Sequence, residues 1–279
     1  MKQEESFFSG FDGLSLYFQL WRNENVNAHL IITHGQGEHG GCYGNLAEAL
    51  VDLPLQVWAW DWRGHGRSEG PRGAVRDFYE YTQDYEIFLK RVVKIDSLRL
   101  PVVLMGHSMG GLIQLKTLLG FPEYQRTPMI LSAPFLGLAM KVPVWKKVVS
   151  RWAYEWAPQL TMFNEIQFNQ LSSDPKAIEA YRKDYLRHRR ISAGAFEPAL
   201  KAAGDVLVRA PFFSGPILGF AADPDPLVST PRIREFFDRL KGADQTLKLF
   251  SRRKHEILND SGRQDAIRLI RSFLEEKVL

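Results

Sequence analysis

The sequence predicts an α/β protein: one mostly parallel sheet, covered by helices on both faces, with a helical insertion between two of its strands. Three observations carry this. Short apolar runs recur at residues 29–33, 56–60, 101–105, 129–132, 215–222 and 246–250, the pattern of strands buried on both faces. Segments with helical spacing alternate with them, which calls for parallel strands joined by crossovers. The alternation then stops between residues 136 and 208, a stretch rich in Trp, Tyr and Arg with helical patterning and no clear buried strand. The expected organisation is a core of residues 1–135 and 209–279, interrupted by a helical insertion at 136–208.

Taken in order, residues 6–21 alternate loosely around Gly10, Asp12 and Gly13 and read as a hairpin at a sheet edge. The strand at 29–33 runs into a glycine-rich loop, residues 34–41, and then a helix at 43–51. The strand at 56–60 ends in a second glycine-rich loop, residues 61–70, where Asp61 and Arg63 are expected to tie the loop down. A helix follows at 76–95, its inward stripe formed by Phe78, Tyr81, Tyr85, Phe88, Leu89 and Val92. After the insertion come a strand at 215–222, a helix at 231–240, a strand at 246–250 and an amphipathic helix at 262–276.

Composition narrows the function classes. The 279 residues are 45% hydrophobic and 24% charged, enough apolar content for a sizeable core and too much for a disordered chain. The net charge of +4 is too small and too dispersed to indicate nucleic acid. Acidic residues stand near the N-terminus where a signal peptide would be apolar, and no run approaches the ~20 apolar residues of a membrane span. The single cysteine, Cys42, excludes an intramolecular disulfide and points to a reducing, cytoplasmic setting. No Gly-x-Gly-x-x-Gly, P-loop or metal-spaced cluster is present, so no cofactor or metal is expected.

Chemistry concentrates at residues 101–119. An apolar strand turns directly into a helix through Gly106-His107-Ser108-Met109-Gly110, a Gly-x-Ser-x-Gly. Such a corner forces a strained backbone and leaves the serine hydroxyl projecting. The flanking glycines are expected where strand and helix nearly touch. A serine is a weak nucleophile and needs a base within hydrogen-bond reach. In this architecture the chain order is serine, acid, histidine. Only His188 and His255 follow Ser108. His188 lies among arginines that disfavour an imidazolium and reads as a solvated surface residue. His255 lies just beyond the last strand, at the ligand edge of the sheet. The acid should follow the strand at 215–222, where Asp223 and Asp225 compete and spacing does not separate them. An oxyanion needs two backbone N–H groups. The residue after the nucleophile, Met109, supplies one, and the turn at Gly35-Gln36-Gly37 is the candidate for the other.

Five motifs together, at residues 34–39, 61–70, 106–111, 225–228 and 255–259, resemble the monoacylglycerol lipase and lysophospholipase family of α/β-hydrolases. The resemblance covers essentially the whole sheet domain in the right order. It implies the α/β-hydrolase fold, with Ser108, Asp225 and His255 as the catalytic triad and the N–H groups of Gln36 and Met109 as the oxyanion hole. It also implies hydrolysis of a single acyl ester on a lipid, foremost a monoacylglycerol, with the insertion as a cap over an acyl tunnel. Two departures stand out. Cys42 precedes Tyr43 where members usually carry Arg-Tyr, and Asp184-Tyr185-Leu186 stands where many have Asp-Pro-Leu. A lysophospholipase is one alternative, favoured by Lys141, Lys146, Lys147, Arg187, Arg189 and Arg190, which could meet a phosphate; a general carboxylesterase, also found in the family it resembles, is another. A ligand-binding receptor on the same fold is the non-enzyme alternative.

One helical stripe in the insertion, Val144, Trp145, Val148, Val149, Trp152, Ala153 and Trp156, has basic residues off it. It is expected either to roof the acyl pocket or to dock the cap peripherally on a membrane.

Overall fold

The computed structural model describes residues 2–242 and 244–279. Strands β1 (Lys2–Ser9), β2 (Ser15–Arg22) and β3 (Ala28–Thr33) come first, followed by α1 (Gly44–Ala49), β4 (Leu55–Trp60) and α2 (Tyr79–Ile87). Next are β5 (Val102–His107), α3 (Met109–Leu118) and β6 (Met129–Ser132). After β6 the chain leaves the main sheet through α4 (Val144–Trp156), β7 (Thr161–Phe163), α5 (Phe168–Leu171), α6 (Pro175–Lys183) and β8 (Arg190–Ser192). It returns by α7 (Ala193–Val208) to β9 (Ile217–Ala222), α8 (Thr230–Arg239), β10 (Gln245–Phe250) and α9 (Gln264–Lys277).

Eight strands form one sheet in the order β1-β2-β4-β3-β5-β6-β9-β10. The β1–β2 hairpin is antiparallel at one edge, as the alternation predicted, and every pairing from β4 onward is parallel. Side chains alternate across the strands. On one face Ile31, Leu104 and Leu131 pack under α2, α3, α7 and α8; on the other, Leu30, Val103, Met105 and Ile130 pack under α1 and α9. This double covering explains why the strands read as continuous apolar runs.

Three expectations need correction. The helix expected at 76–95 is α-helical only over Tyr79–Ile87. It widens to a π-helix at Phe88–Val93 and ends where Lys94 turns left-handed at φ 57°. Most of its inward stripe holds, with Phe78, Tyr81, Tyr85, Phe88 and Leu89 buried, but in the π-turn Val93 is buried and Val92 only half-buried. The segment after β6 is not purely helical, because β7 and β8 pair antiparallel, Thr161 opposite Ser192. Three-residue strands are too short for a period of two to show. The stripe of α4 is no roof: Val144, Trp145, Val148, Trp152 and Trp156 are all exposed, and only Ser150 and Ala153 are buried.

The loop after β4 is tied as the sequence suggested. Asp61 accepts from the N–H groups of Gly40 (2.6 Å) and Arg67 (2.9 Å), joining the two glycine-rich loops. Arg63, almost fully buried, donates to Asp84 on α2 (2.6 Å from Nε, 3.0 Å from Nη2), to Glu80 and to Asp12 in the β1–β2 turn. One guanidinium thus fastens the edge hairpin, the loop and a helix together. Replacing Arg63 by Met should cost about 3–5 kcal/mol, since it leaves the Asp84 carboxylate buried without its cation. Urea unfolding of Arg63→Met, Asp84→Asn and the double variant checks this, with the double variant expected to lose less than the two singles added.

Candidate active site

Ser108 sits between the last residue of β5 and the first of α3, at φ 50° and ψ −121°. Its N–H donates to Ser132 O (2.9 Å) on the neighbouring strand, and its carbonyl accepts from Gly111 and Phe135. Hydrogen bonds on both sides therefore hold a conformation that an L-residue avoids. The two flanking glycines serve different contacts. A Cβ on Gly106 would meet the Gly111 backbone at 2.6 Å, the strand–helix approach predicted from the sequence. A Cβ on Gly110 would meet His34 O at 2.1 Å and Thr33 O at 2.3 Å, so that glycine seats α3 against the end of β3 and its loop.

The sheet brings the distant partners to this corner. Ser108 Oγ lies 2.9 Å from His255 Nε2, and His255 Nδ1–H donates to Asp225 Oδ2 at 2.9 Å. Asp225 Oδ1 accepts from Leu227 N (2.8 Å) and Val228 N (3.0 Å), which aims the other oxygen at the imidazole. Of the two competing aspartates, Asp223 instead pairs with Arg234 in solvent (2.6 Å) while Asp225 is buried. Burial alone would raise Asp225, but the His255 charge and hydrogen bond and the two backbone donors hold it below the usual carboxylate range. Burial likewise disfavours a charged His255, but Asp225 outweighs it and lifts the imidazole above its ordinary value. His107, whose ring lies 4.9 Å from that of His255, is held neutral, its pKa depressed by burial and by His255 to about 3.

Gln36 and Met109 line the same cavity as Ser108 and His255. Met109 begins α3, so its N–H has no acceptor within the helix. The Gln36 side chain donates to Arg190 O (2.8 Å), placing its loop under β8. The rest of the lining is mostly apolar, with Phe135, Leu138, Met140, Met162, Ile191 and Leu227 among it, and the one carboxylate among the described lining residues, Glu165, pairs with Lys146.

His188 is not the solvated residue expected. Its ring packs against His65 (4.4 Å), its N–H donates to Gly37 O (3.1 Å), and burial and Arg72 lower its pKa to about 4. The arginines do disfavour its charge; its location on the Gln36 loop was not visible from sequence. Sequence reasoning also gave no role to Glu38, Glu256 or Tyr181, and it offered Arg187 as a partner for a phosphate, although all four lie buried beside the site and Arg187 pairs with Glu256. His39, Cys42 and Asp184 converge, with ligand atoms within 4.8 Å of one another, a grouping hidden by chain distance. There the His39–Asp184 pair is internally satisfied, and Arg187 Nη2, 3.3 Å from Cys42 Sγ, opposes a cation.

A family model described as serine aminopeptidase, S33, matches residues 24–262. The chain belongs to that family. Within it, a monoglyceride lipase of Homo sapiens is 30% identical over 88% of this chain and 80% of its own length. The phospholipase YtpA of Bacillus subtilis is 28% identical over 92% and 99%. A monoacylglycerol lipase structure from Paleococcus ferrophilus superposes with a TM-score of 0.79 at 26% identity, covering 98% of each chain. This member of the S33 family thus has the α/β-hydrolase fold and is a serine hydrolase of carboxylic esters.

A base must be neutral to take a proton, so a raised His255 pKa moves the acid limb of activity upward. The kcat/KM of a soluble ester should fall on acidification with a midpoint above the ~6.5 of an ordinary imidazole. Asp225→Asn should shift that midpoint down and lower kcat far more than Asp223→Asn does, as pH–rate profiles of the three proteins will read.

Proposed function

We propose that this chain hydrolyses the single acyl ester of a monoacylglycerol to fatty acid and glycerol through an acyl-enzyme on Ser108. The observation that carries the reading is the Ser108–His255–Asp225 relay opening onto an apolar cavity. Ser108 Oγ attacks the ester carbonyl while His255 Nε2 takes its proton, and Asp225 holds the imidazole tautomer and balances its charge. The N–H groups of Gln36 and Met109 receive the oxyanion. His255 then returns the proton to the departing glycerol oxygen. Water, deprotonated by the same nitrogen, attacks the acyl carbonyl; the C–Oγ bond breaks, His255 returns the proton to Ser108 Oγ, and the fatty acid leaves.

In this reading the insertion, residues 136–208, is the cap over this cavity, and its last helix, α7, joins it to the core by packing on α4 as well as on α3 and α8. An aminopeptidase would need a free carboxylate for the substrate ammonium, and among the described lining residues the only one is paired. The receptor alternative is disfavoured by an intact relay.

The lysophospholipase reading keeps some support from the phospholipase relative. Its basic residues are partly committed elsewhere, however: Lys146 to Glu165 and Arg187 to Glu256. A panel of monoacylglycerols, lysophospholipids, diacylglycerols and short p-nitrophenyl esters should therefore show highest kcat/KM on monoacylglycerols. Ser108→Ala should lower kcat by roughly 10⁴–10⁶ with the fold intact, and His255→Ala added to it should cost little more. Lysophospholipid as the best substrate would move the assignment to the alternative.

The exposed face of α4 supports peripheral docking of the cap on a lipid surface at the cytoplasmic side. Trp145, Trp152 and Trp156 are 61%, 60% and 77% exposed, with exposed Lys147 and Arg151 beside them. Indole rings favour the membrane interface and basic residues favour anionic lipid. Val142, Lys146 and Ser150, from α4 and just before it, line the cavity, so docking there shortens the path of a lipid tail to Ser108. No helix among the described residues is long and apolar enough to cross a membrane. Trp145→Ala and Trp152→Ala should weaken binding to anionic vesicles while leaving turnover of a soluble ester nearly unchanged. Absence of wild-type vesicle binding even at low salt would end this reading.

A further inference from the structure

A buried charge cluster beside the relay joins the cap to the loop that carries Gln36 and to the loop that carries His255. Glu38 lies in the Gln36 loop and Glu256 directly follows His255; both carboxylates are buried. Arg187, between α6 and β8, is only 5% exposed and faces both. Its guanidinium forks onto Glu256, Nη1 to Oε1 at 2.9 Å and Nη2 to Oε2 at 3.0 Å, and lies 3.9 Å from the centre of the Tyr181 ring. Glu256 also accepts from the Tyr181 hydroxyl at 2.7 Å. On the other side Arg187 Nη2 stands 3.6 Å from Glu38 Oε2, while Glu38 Oε1 accepts from the Gly35 N–H and from the Tyr43 hydroxyl.

Main-chain contacts run the same way. His188 N–H donates to Gly37 O (3.1 Å), and a Cβ on Gly37 would meet His188 O at 2.2 Å. The N–H groups of His255 and Glu256 donate to Gln170 O (3.2 Å) and Leu171 O (2.8 Å) in α5. Two carboxylates on two catalytic loops thus confront each other across one cation delivered by the cap. Without that cation the carboxylates would repel or take up a proton, and either outcome shifts the loops that carry them.

From this geometry we infer that Arg187 is a positioning residue. Through Glu38 it holds the Gly35–Gln36 turn, and through Glu256 it holds His255, at the spacing the reaction requires. The cap therefore completes the catalytic geometry as well as covering it. Arg187 Nη2 also lies 3.3 Å from Cys42 Sγ, just past the Gln36 loop. The inference rests on the Ser108 hydrolase reading, and displacements near 1 Å in such sites lower rates about 100-fold.

The test is steady-state kinetics on a short soluble ester for wild type, Arg187→Lys, Arg187→Gln, Glu256→Gln and the Arg187→Gln/Glu256→Gln double variant. Each is assayed well below its melting temperature, with circular dichroism confirming the folded fraction. Arg187→Gln should lower kcat by about 30–100-fold with KM changed less than about threefold. Arg187→Lys should recover part of the loss, because it restores the charge but not the fork. The double variant should lose less than the product of the single losses. Should Arg187→Gln fail to fold, Arg187→Lys carries the same kcat-against-KM criterion with a smaller loss. A folded variant whose kcat stays within threefold of wild type, or whose change falls in KM alone, overturns the inference even if its Tm is lowered. Loss of the hydrolase reading looks different: wild type would then turn over no ester through Ser108.

Discussion

Everything at the site depends on the left-handed backbone of Ser108. At φ 50° the chain leaves β5 and enters α3 with no intervening loop, so the hydroxyl and the first free N–H of the helix, that of Met109, project from adjacent residues. Nucleophile and proposed oxyanion donor are therefore placed by one backbone corner, and small side-chain motions do not separate them. The cost of the conformation is met locally, by the hydrogen bond to Ser132 O and by a glycine on each side that admits a neighbouring backbone.

From that corner the parallel sheet acts as a ruler. β5 is separated from β9 only by β6, and β10 lies beyond β9, so the loops after them emerge on one edge in a fixed row. Asp225 follows β9 and His255 follows β10, which closes a hydrogen-bonded relay across 147 residues of sequence. The elements proposed as a cap are built on the same edge, in keeping with the rule that open α/β sheets place ligands at the carboxyl ends of strands. Their contribution is electrostatic as well as steric, since Arg187 is the cation facing two buried glutamates.

What the sequence made legible follows from how local each signal is. The Gly-x-Ser-x-Gly corner shows because strand, glycine, serine and helix are contiguous. His255 emerges by elimination, since only two histidines follow Ser108. Asp225 could not be separated from Asp223 by spacing, because burial and Arg234 decide between them, and the family motif was needed. Arg187 was grouped with basic residues that could meet a phosphate, because its partners Glu38 and Glu256 are about 149 and 69 positions away and nothing local shows them. The α4 stripe was visible as a periodicity, but a periodicity does not say what covers it. His188 combines both lessons: its electrostatic sign was readable, its burial was not.

The central claim is that the chemistry passes through an acyl group on Ser108. Acid quenching of a reaction with a slowly deacylating monoacyl ester, followed by intact-protein and peptide mass spectrometry, tests it most directly. The account predicts one added acyl mass, located on the peptide that contains Ser108, forming and decaying at rates competent for turnover. An acyl mass on another residue, or full turnover with no adduct under conditions that trap one in a related serine hydrolase, would contradict it.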